Sequence, residues 1–595
     1  MRKLLLFIVL VGSALVGAAL PLGLAQAGPG PRHAAPPYAG QCGLPLAQPI
    51  WAEFAWPLPA FDRIFGKRGV VLGASTGDYP ARMRAAGAAT VYFDLNLNKR
   101  IGTTTNPVDP SLMQSKAKTF FDFAVQQTGC ATPVIALNEL AGASLVTPWS
   151  DANAQYRANA LTFVQALAQL GAHPVLLVAL RPYTGGDAGA WWQQVAASAE
   201  LVREVYVPAT LVWHDRAVLG NRILRQAYRQ SIQDFTSIGI PANKLGLMVS
   251  FASTKGFGGR NGLQPATAWY QVAKWQALAA KQVAAETGIA SVWSWGWGEW
   301  NPAESDPAKP YALCAWLWGR SPTLCNAPRA IGRKKFDASR KEGQLSLLTP
   351  GTQCLVGGRA LSQAAIARLQ LVTGDREAAY SALFERLVES KQATISPKQV
   401  LAAERAVIAQ AFHGSGAAYR SALRHAHASV TVARGVLADE LRRAKVEQTL
   451  YGSPPSGADV TTFYSSYPDL LVRLVSAKPA PAWLGRKSVG FALSEVAPDR
   501  LFGLRTGRSA VIRTSEGKFT VKALASPLPL GAVPLGRARP AIAAALRSFA
   551  RGAAFERWTV ARQSGALDDT LCQRDDLPQP AAVDLAAELP FLRLG

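Results

Sequence analysis

The stretch that decides the fold is Ala290-Ser291-Val292-Trp293-Ser294-Trp295-Gly296-Trp297-Gly298-Glu299-Trp300-Asn301. From Val292 onward a period of two places Trp293, Trp295 and Trp297 on one face of an extended segment, with Ser294, Gly296 and Gly298 opposite. A carboxylate, Glu299, follows where the strand ends. Far upstream, Val134-Ile135-Ala136-Leu137-Asn138-Glu139 is a second apolar run that ends in a carboxylate. Aromatic stripes are usually core packing. The recurrence of a terminal carboxylate favours instead a site that grips flat apolar faces and carries out acid–base chemistry beside them.

Outward from these two stretches, short apolar runs alternate with longer helical patterns from Ile50 to about Leu324. The runs read as strands are Trp51–Trp56, Gly69–Ala74, Thr90–Leu97, Pro133–Leu137, Pro174–Leu180, Val207–Trp213, Leu245–Phe251 and Ala290–Trp297. Apolar residues at helical spacing predict helices over Ser115–Gln127, Asn153–Leu170, Ala190–Val205, Arg222–Ile238 and Ala266–Thr287. Strand–helix repeats of this kind mean parallel strands with crossover helices. Eight of them predict a TIM-like (β/α)8 barrel over residues 48–325. A doubly wound open sheet is the alternative, but its Gly-rich phosphate turn after the first strand is missing.

In a (β/α)8 barrel the C-terminal strand ends build the site. Those ends carry Asp94, then Asn138 with Glu139, Arg181 with Tyr183, His214, and Glu299. All but two of the chain's 16 tryptophans, Trp483 and Trp558, precede Cys325. Tryptophan faces stack on the C–H faces of sugar rings, so this is the inventory of a carbohydrate site. Glu139 and Glu299 are its candidate catalytic carboxylates. Asn138, Asp94, Arg181, Tyr183, His214, Trp293, Trp295 and Trp297 are its candidate substrate-binding residues. His214 has no carboxylate-rich set beside it and the cysteines show no CxxC spacing, so no metal site is expected, nor any cofactor.

Over Ile50 to Leu324 the pattern is similar to clan A glycoside hydrolases, in which an Asn-Glu pair ends a strand and its Glu is the general acid/base. Asn138-Glu139 matches that pair, and the late Trp-rich strand matches the one whose Trp lines the sugar subsite. The resemblance implies that Glu139 protonates the leaving oxygen, that Asn138 bonds a sugar hydroxyl and that Glu299 is nucleophile or general base. It also implies strands four and seven for the two carboxylates. Counting Trp51–Trp56 as the first strand puts them on strands four and eight; omitting it puts them on three and seven.

At 595 residues the chain exceeds a single core. Arg2 and Lys3, an apolar run from Leu4 to about Leu20 and Ala25-Gln26-Ala27 read as an export signal over 1–27, with an N-terminal membrane anchor as the alternative. Residues 28–47 are a Pro/Gly/Ala-rich spacer. A secreted or cell-surface protein with six cysteines is expected to carry disulfides. Cys314–Cys325 closes a short loop, and Cys42–Cys130 with Cys354–Cys572 are the simplest remaining pairs among the several connectivities open. The net charge of +24 favours an anionic cell-envelope component or polysaccharide. Export and the lack of a recognition motif count against nucleic acid, and none is expected as a partner.

Past Cys325 a basic linker over 326–355 precedes a change of composition. Ser362–Val372, Glu377–Glu389, Pro397–Phe412, Ala417–His425 and Val430–Leu450 carry apolar residues at three- and four-residue spacing, predicting a helical bundle over 356–452. Ser396-Pro397 is a helix start. The run Ile395-Ser396-Pro397-Lys398-Gln399-Val400, with Phe412, Tyr419, Leu423, Ser429 and Arg434 to Leu441, resembles the helical domain of SurA-type chaperones and parvulin-type foldases. That resemblance implies unfolded polypeptide as a partner of the helical module. In 453–595, Ser509–Arg513 and Lys518–Leu524 read as a hairpin and Ala541–Ala561 as a helix, similar to the closing half of a parvulin domain. No His follows His427 and Cys572 is the only Cys there, so this α+β segment is read as degenerate, without prolyl isomerisation.

The chain is thus expected to be a barrel-type, secreted glycoside hydrolase-like protein acting on or binding an extracellular or cell-envelope polysaccharide. The alternative is a non-catalytic envelope chaperone-like or carbohydrate-binding protein with a degenerate barrel.

Overall fold

The computed structural model describes residues 41–594 apart from 76, 95, 141–149, 334–347, 451–453 and 515. The export signal, most of the spacer and the centre of the basic linker lie outside the described residues. Eight strands form a closed barrel in sequence order: β1 (Ile50–Phe54), β2 (Val71–Ala74), β3 (Ala89–Asp94), β4 (Val134–Leu137), β5 (His173–Val178), β6 (Glu200–Glu204), β7 (Leu245–Ser250) and β8 (Ser291–Trp295). All pairs are parallel, and β8 closes on β1 with Trp293 opposite Ala52. One parity fills the barrel, including Phe54, Phe93, Val202, Met248 and Trp293. The other, including Tyr92, Leu201, Leu247 and Val292, faces the helical shell.

Strand six is not where apolar content alone places it. Val207–Trp213 leads into a helix, Ala209–His214, entered from Pro208 with the chain extended at its N-cap. The true strand, Glu200–Glu204, carries three charges in five residues and passes for the polar face of a helix. The preceding helix stops at Ser198. With this correction Glu139 follows strand four and Glu299 lies beyond strand eight.

The outer side of the barrel buries one carboxylate completely. Glu53 of β1 accepts hydrogen bonds from Ser294 and from Trp316 Nε1, with Arg320 at 3.4 Å. Burial raises its carboxyl pKa, against the pull of Arg320. All six cysteines are paired, as Cys42–Cys130, Cys314–Cys325 and Cys354–Cys572. Among the described residues no helix is long and apolar enough to cross a membrane.

In the second half β9 (Thr352–Val356) pairs with β10 (Arg359–Ser362) and, on its other edge, with β16 (Thr570–Cys572). The helical spacing is realised as Gln363–Thr373, Arg376–Glu389, Pro397–Ala411, Gly416–His425 and Val430–Glu447. Ser396 and Gln399 form a reciprocal capping box with Pro397 at the first turn. A second sheet runs β12 (Val489–Leu493), β11 (Leu471–Lys478), β14 (Gly517–Ala523), β13 (Ser509–Thr514), with β15 (Leu528–Pro529) beside β11. The helix Leu535–Leu567 then returns the chain to the helices. Phe384, Val436 and Leu437 share one apolar core with Cys572, Leu585 and Leu589, so the C-terminal tail completes the helical bundle and the sheet is an insertion in it.

The halves meet through arginines on the barrel helix Arg216–Thr236, here α1. Arg222 donates to the carbonyls of Leu567 and Thr570, Arg225 to Cys572 O at 2.8 Å and to Asp575 at 2.5 Å, and Arg229 to Asp575 and Glu286. Their three- and four-residue spacing puts them on one helix face.

Candidate active site

At the barrel mouth the charge of one carboxylate acts on another. Glu139 follows β4 with a left-handed φ of 53°, sparsely populated for a residue bearing Cβ. Its neighbours hold it there: Asn138 N donates to Asp94 O and Leu140 N to Leu177 O, each at 3.0 Å, tying the chain to β3 and β5. The Glu139 side chain is exposed and Asn138 is half-buried. Glu204 ends β6 on the same parity as the interior Val202 and is 5% exposed. Burial raises its carboxyl to about 7, the nearby Glu139 charge adding to the rise and Tyr206 and Arg203 opposing it.

Aromatic rings line the mouth beside this pair. Tyr206 and Trp295 pack onto the barrel core and stack at 5.5 Å with planes 11° apart. The Tyr206 hydroxyl lies 3.4 Å from Met248 Sδ. Burial and the two carboxylates hold its pKa well above the ordinary phenol value, so it stays protonated. Trp300 stacks on Trp295 at 4.7 Å, and Phe257 stands 6.2 Å from Trp295. The rings thus lead from half-buried Tyr206 to Trp300 and Phe257, which are 36% and 45% exposed.

The loop carrying Trp300 is anchored from beneath. Lys309 Nζ is buried and donates to Glu304 at 2.7 Å and to Gly298 O at 2.8 Å. Glu304 in turn accepts from Ser253 N and Thr254 N, and Arg260 and Ser253 hold Asp306. This buried network ties the loop after β7, which bears Phe257, to the loop after β8.

Trp295 is the one tryptophan of the β8 stripe at the mouth. Trp293 points the same way but lies below it, 2% exposed and packed on Phe54 at 5.1 Å. Gly296 breaks the alternation with a φ of 95°, where a Cβ would fall 2.4 Å from Ala252 N. Trp297 therefore leaves the face; it is fully buried against Phe251 at 4.2 Å and donates to Ser294 Oγ. Trp293 and Trp297 are core residues, buried below the mouth. Glu299 is exposed on the loop beyond β8, where its charge acts on Lys309. The carboxylate that interacts with Glu139 is Glu204.

The side chains of the other expected residues have partners and surroundings of their own. Asp94 is buried on the parity of Tyr92, with Arg100 at 3.6 Å and Asn96 N at 3.0 Å; burial raises its carboxyl pKa. Arg181 pairs with Asp234 at 2.9 Å. Tyr183 is half-buried on the loop after β5, its carbonyl accepting from Trp192 Nε1. His214 ends a helix, 85% exposed beside Asp215. Among the described residues no group of three His, Cys, Asp or Glu side chains is placed to hold a metal ion.

Glu204, Tyr206, Trp300 and Phe257 were missed by the sequence. The signal is Glu204-Val205-Tyr206, a carboxylate and an aromatic two apart at a strand end, but the apolar content of Val207–Trp213 points to a strand beyond it.

No family model and no curated protein matches the chain. Among solved structures it is similar to active domain 2 of the chitinase from Pyrococcus furiosus, at 8% identity over 46% of this chain and 96% of that one, TM-score 0.28. It is also similar to the Rhizomucor miehei chitinase RmChi1, at 14% identity over 45% and 99%, TM-score 0.29. A third is a family 5 glycoside hydrolase from Prevotella bryantii solved with a xyloglucan tetradecasaccharide, at 13% identity over 44% and 85%, TM-score 0.29.

Proposed function

We propose that the barrel mouth hydrolyses glycosidic bonds of an extracellular or cell-envelope polysaccharide, with Glu204 as proton donor and Glu139 as the second carboxylate. The observation that carries this reading is the coupled pair itself. A buried carboxyl raised to about 7 keeps its proton near neutral pH, while its partner stands exposed across the same mouth. Glu204 would protonate the leaving oxygen, and Glu139 would act as nucleophile or as base toward water. Trp295 and Trp300 would seat the sugar faces, and Asn138 would bond a hydroxyl. These assignments give Glu204 the role that the Asn-Glu resemblance gave Glu139, and Glu139 the role it gave Glu299.

Three disulfides suit an oxidising compartment and so support export. The decisive experiment measures reducing ends released from a panel of insoluble and soluble glycans by wild type, Glu204→Gln and Glu139→Gln. Turnover by wild type, lost in both variants and partly recovered in Glu204→Gln with an aryl glycoside whose leaving group needs no proton, supports the assignment. Glycan binding without turnover by wild type would instead favour a carbohydrate-binding barrel.

A further inference from the structure

The inserted sheet leaves a cleft that the barrel chemistry does not use. It lies between the helix Pro397–Ala411, here α2, and the hairpin of β13 and β14, and encloses about 280 Å³. Ala402, Ala403, Ala406 and Val407 make its helical wall, and Arg513 and Lys518 stand on the hairpin side. The volume is near the lower end for ligand sites.

The hairpin wall is an open strand edge, since β13 pairs with β14 and ends the sheet. Thr514 and Gly517 close the hairpin, and Arg508 O accepts from Ala523 N, so the even-numbered residues of β13 bond to β14. The backbone groups of Val511 and Arg513 therefore point away from β14, and Arg513 lines the cleft. Gln410 Nε2 on α2 already reaches across to Arg513 O at 3.4 Å. The edge thus faces a helix with room between them, the shape that admits one further extended strand.

The charge of this wall selects the strand. The exposed face of β11, β13 and β14 carries Lys478, Arg513, Lys518 and Lys522, and these three strands contain no Asp or Glu. Arg513 lies directly across from Lys518, a like-charge pair that costs stability on its own. Among the described residues neither takes part in an ion pair. The nearby Glu516 accepts from Ala482 N, and Arg593 on the far wall is held by Asp584 at 2.9 Å. A second copy of this basic chain would be repelled, whereas an acidic strand would neutralise the pair.

We infer that the cleft between α2 and the edge of β13 binds an extended acidic polypeptide segment, added to the sheet as a strand with its carboxylates on Arg513 and Lys518. A polysaccharide or lipid could meet the cations but could not continue the ladder of backbone hydrogen bonds. This proposal does not depend on what the barrel does.

The test is fluorescence anisotropy of the full-length protein with a fluorescein-labelled decapeptide alternating glutamate and threonine. Its controls are a lysine–threonine counterpart and a version N-methylated at alternate residues, which keeps the charge but cannot form the ladder. Saturable binding of the glutamate peptide is expected, lost with lysine and weakened about tenfold or more by N-methylation. Arg513→Glu with Lys518→Glu should remove binding, and so should Ala406→Trp, which fills the cleft and leaves the cations in place. Unchanged circular dichroism and melting show that each variant is folded. Equal affinity of the N-methylated peptide, or binding that survives the cleft-filling variant, overturns the proposal. So does a cation-dependent affinity for polygalacturonate without affinity for the peptide, which would make this an anionic-glycan surface.

Discussion

The carboxyl of Glu204, the last residue of β6, is raised to about 7 by burial, and the charge of Glu139 beyond β4 adds to the rise. The coupling has a direction that can be measured without turnover. Glu139→Gln removes a negative neighbour and should lower the Glu204 pKa, as read by carbon NMR of glutamate-labelled protein. An unchanged titration would mean that the two side chains do not share the mouth in solution.

The same pair predicts the pH profile. A donor must be protonated to act, so kcat/KM should fall as pH rises through about 7. Glu204→Gln should lose that limb and about 10²–10⁴ of the rate on substrates with poor leaving groups. A retained limb would move the donor role to another residue.

Trp300 is the exposed end of the ring series, stacked on Trp295 and anchored through the Lys309–Glu304 pair below it. Trp300→Ala should weaken long glycans more than short ones, by roughly 0.5–1.5 kcal/mol in binding, seen as a higher KM with little change in kcat. Equal effects on a disaccharide and a polymer would place Trp300 at the bond-cleaving centre.

The joint between the halves rests on buried charge. Arg225 is fully buried and holds Asp575 and Cys572 O, so Arg225→Ala leaves polar groups stranded in the interface. The cost should be on the order of 3 kcal/mol, with one calorimetric transition separating into two. A single transition at the wild-type temperature would show that the joint carries little stability.

A cluster of carboxyls in the second half predicts how stability varies with pH. Glu385 is raised to about 8 by burial and the charge of Glu389, and Glu440 to about 7 by burial and the charge of Asp584. The unfolded chain releases these protons near the ordinary carboxyl range while the folded chain keeps them. Stability should therefore decline as pH rises from about 5 to about 8. Glu385→Gln should flatten that slope in urea melts at successive pH values, and an unchanged slope would assign it elsewhere.

The sequence by itself determined the barrel, because alternating runs separated by helical spacing leave few parallel arrangements open. Seven of the eight expected strands overlap strands of the fold. It also offered Glu139 as a candidate, the presence of disulfides from the even cysteine count, and the helices of the second half from local pattern, while the pairing of the cysteines stayed open among several connectivities. Strand six escaped because Glu200, Arg203 and Glu204 hide an interior strand behind charge, and apolar Val207–Trp213 drew the assignment past it. Only the closed barrel brings Glu204 beside Glu139, since proximity across strands is set by closure and shear and leaves no trace in spacing along the chain. Tertiary packing likewise decided that Trp297 is core and Trp300 surface. The turn at Gly296 ends the period of two, and a period predicts faces only while the strand lasts.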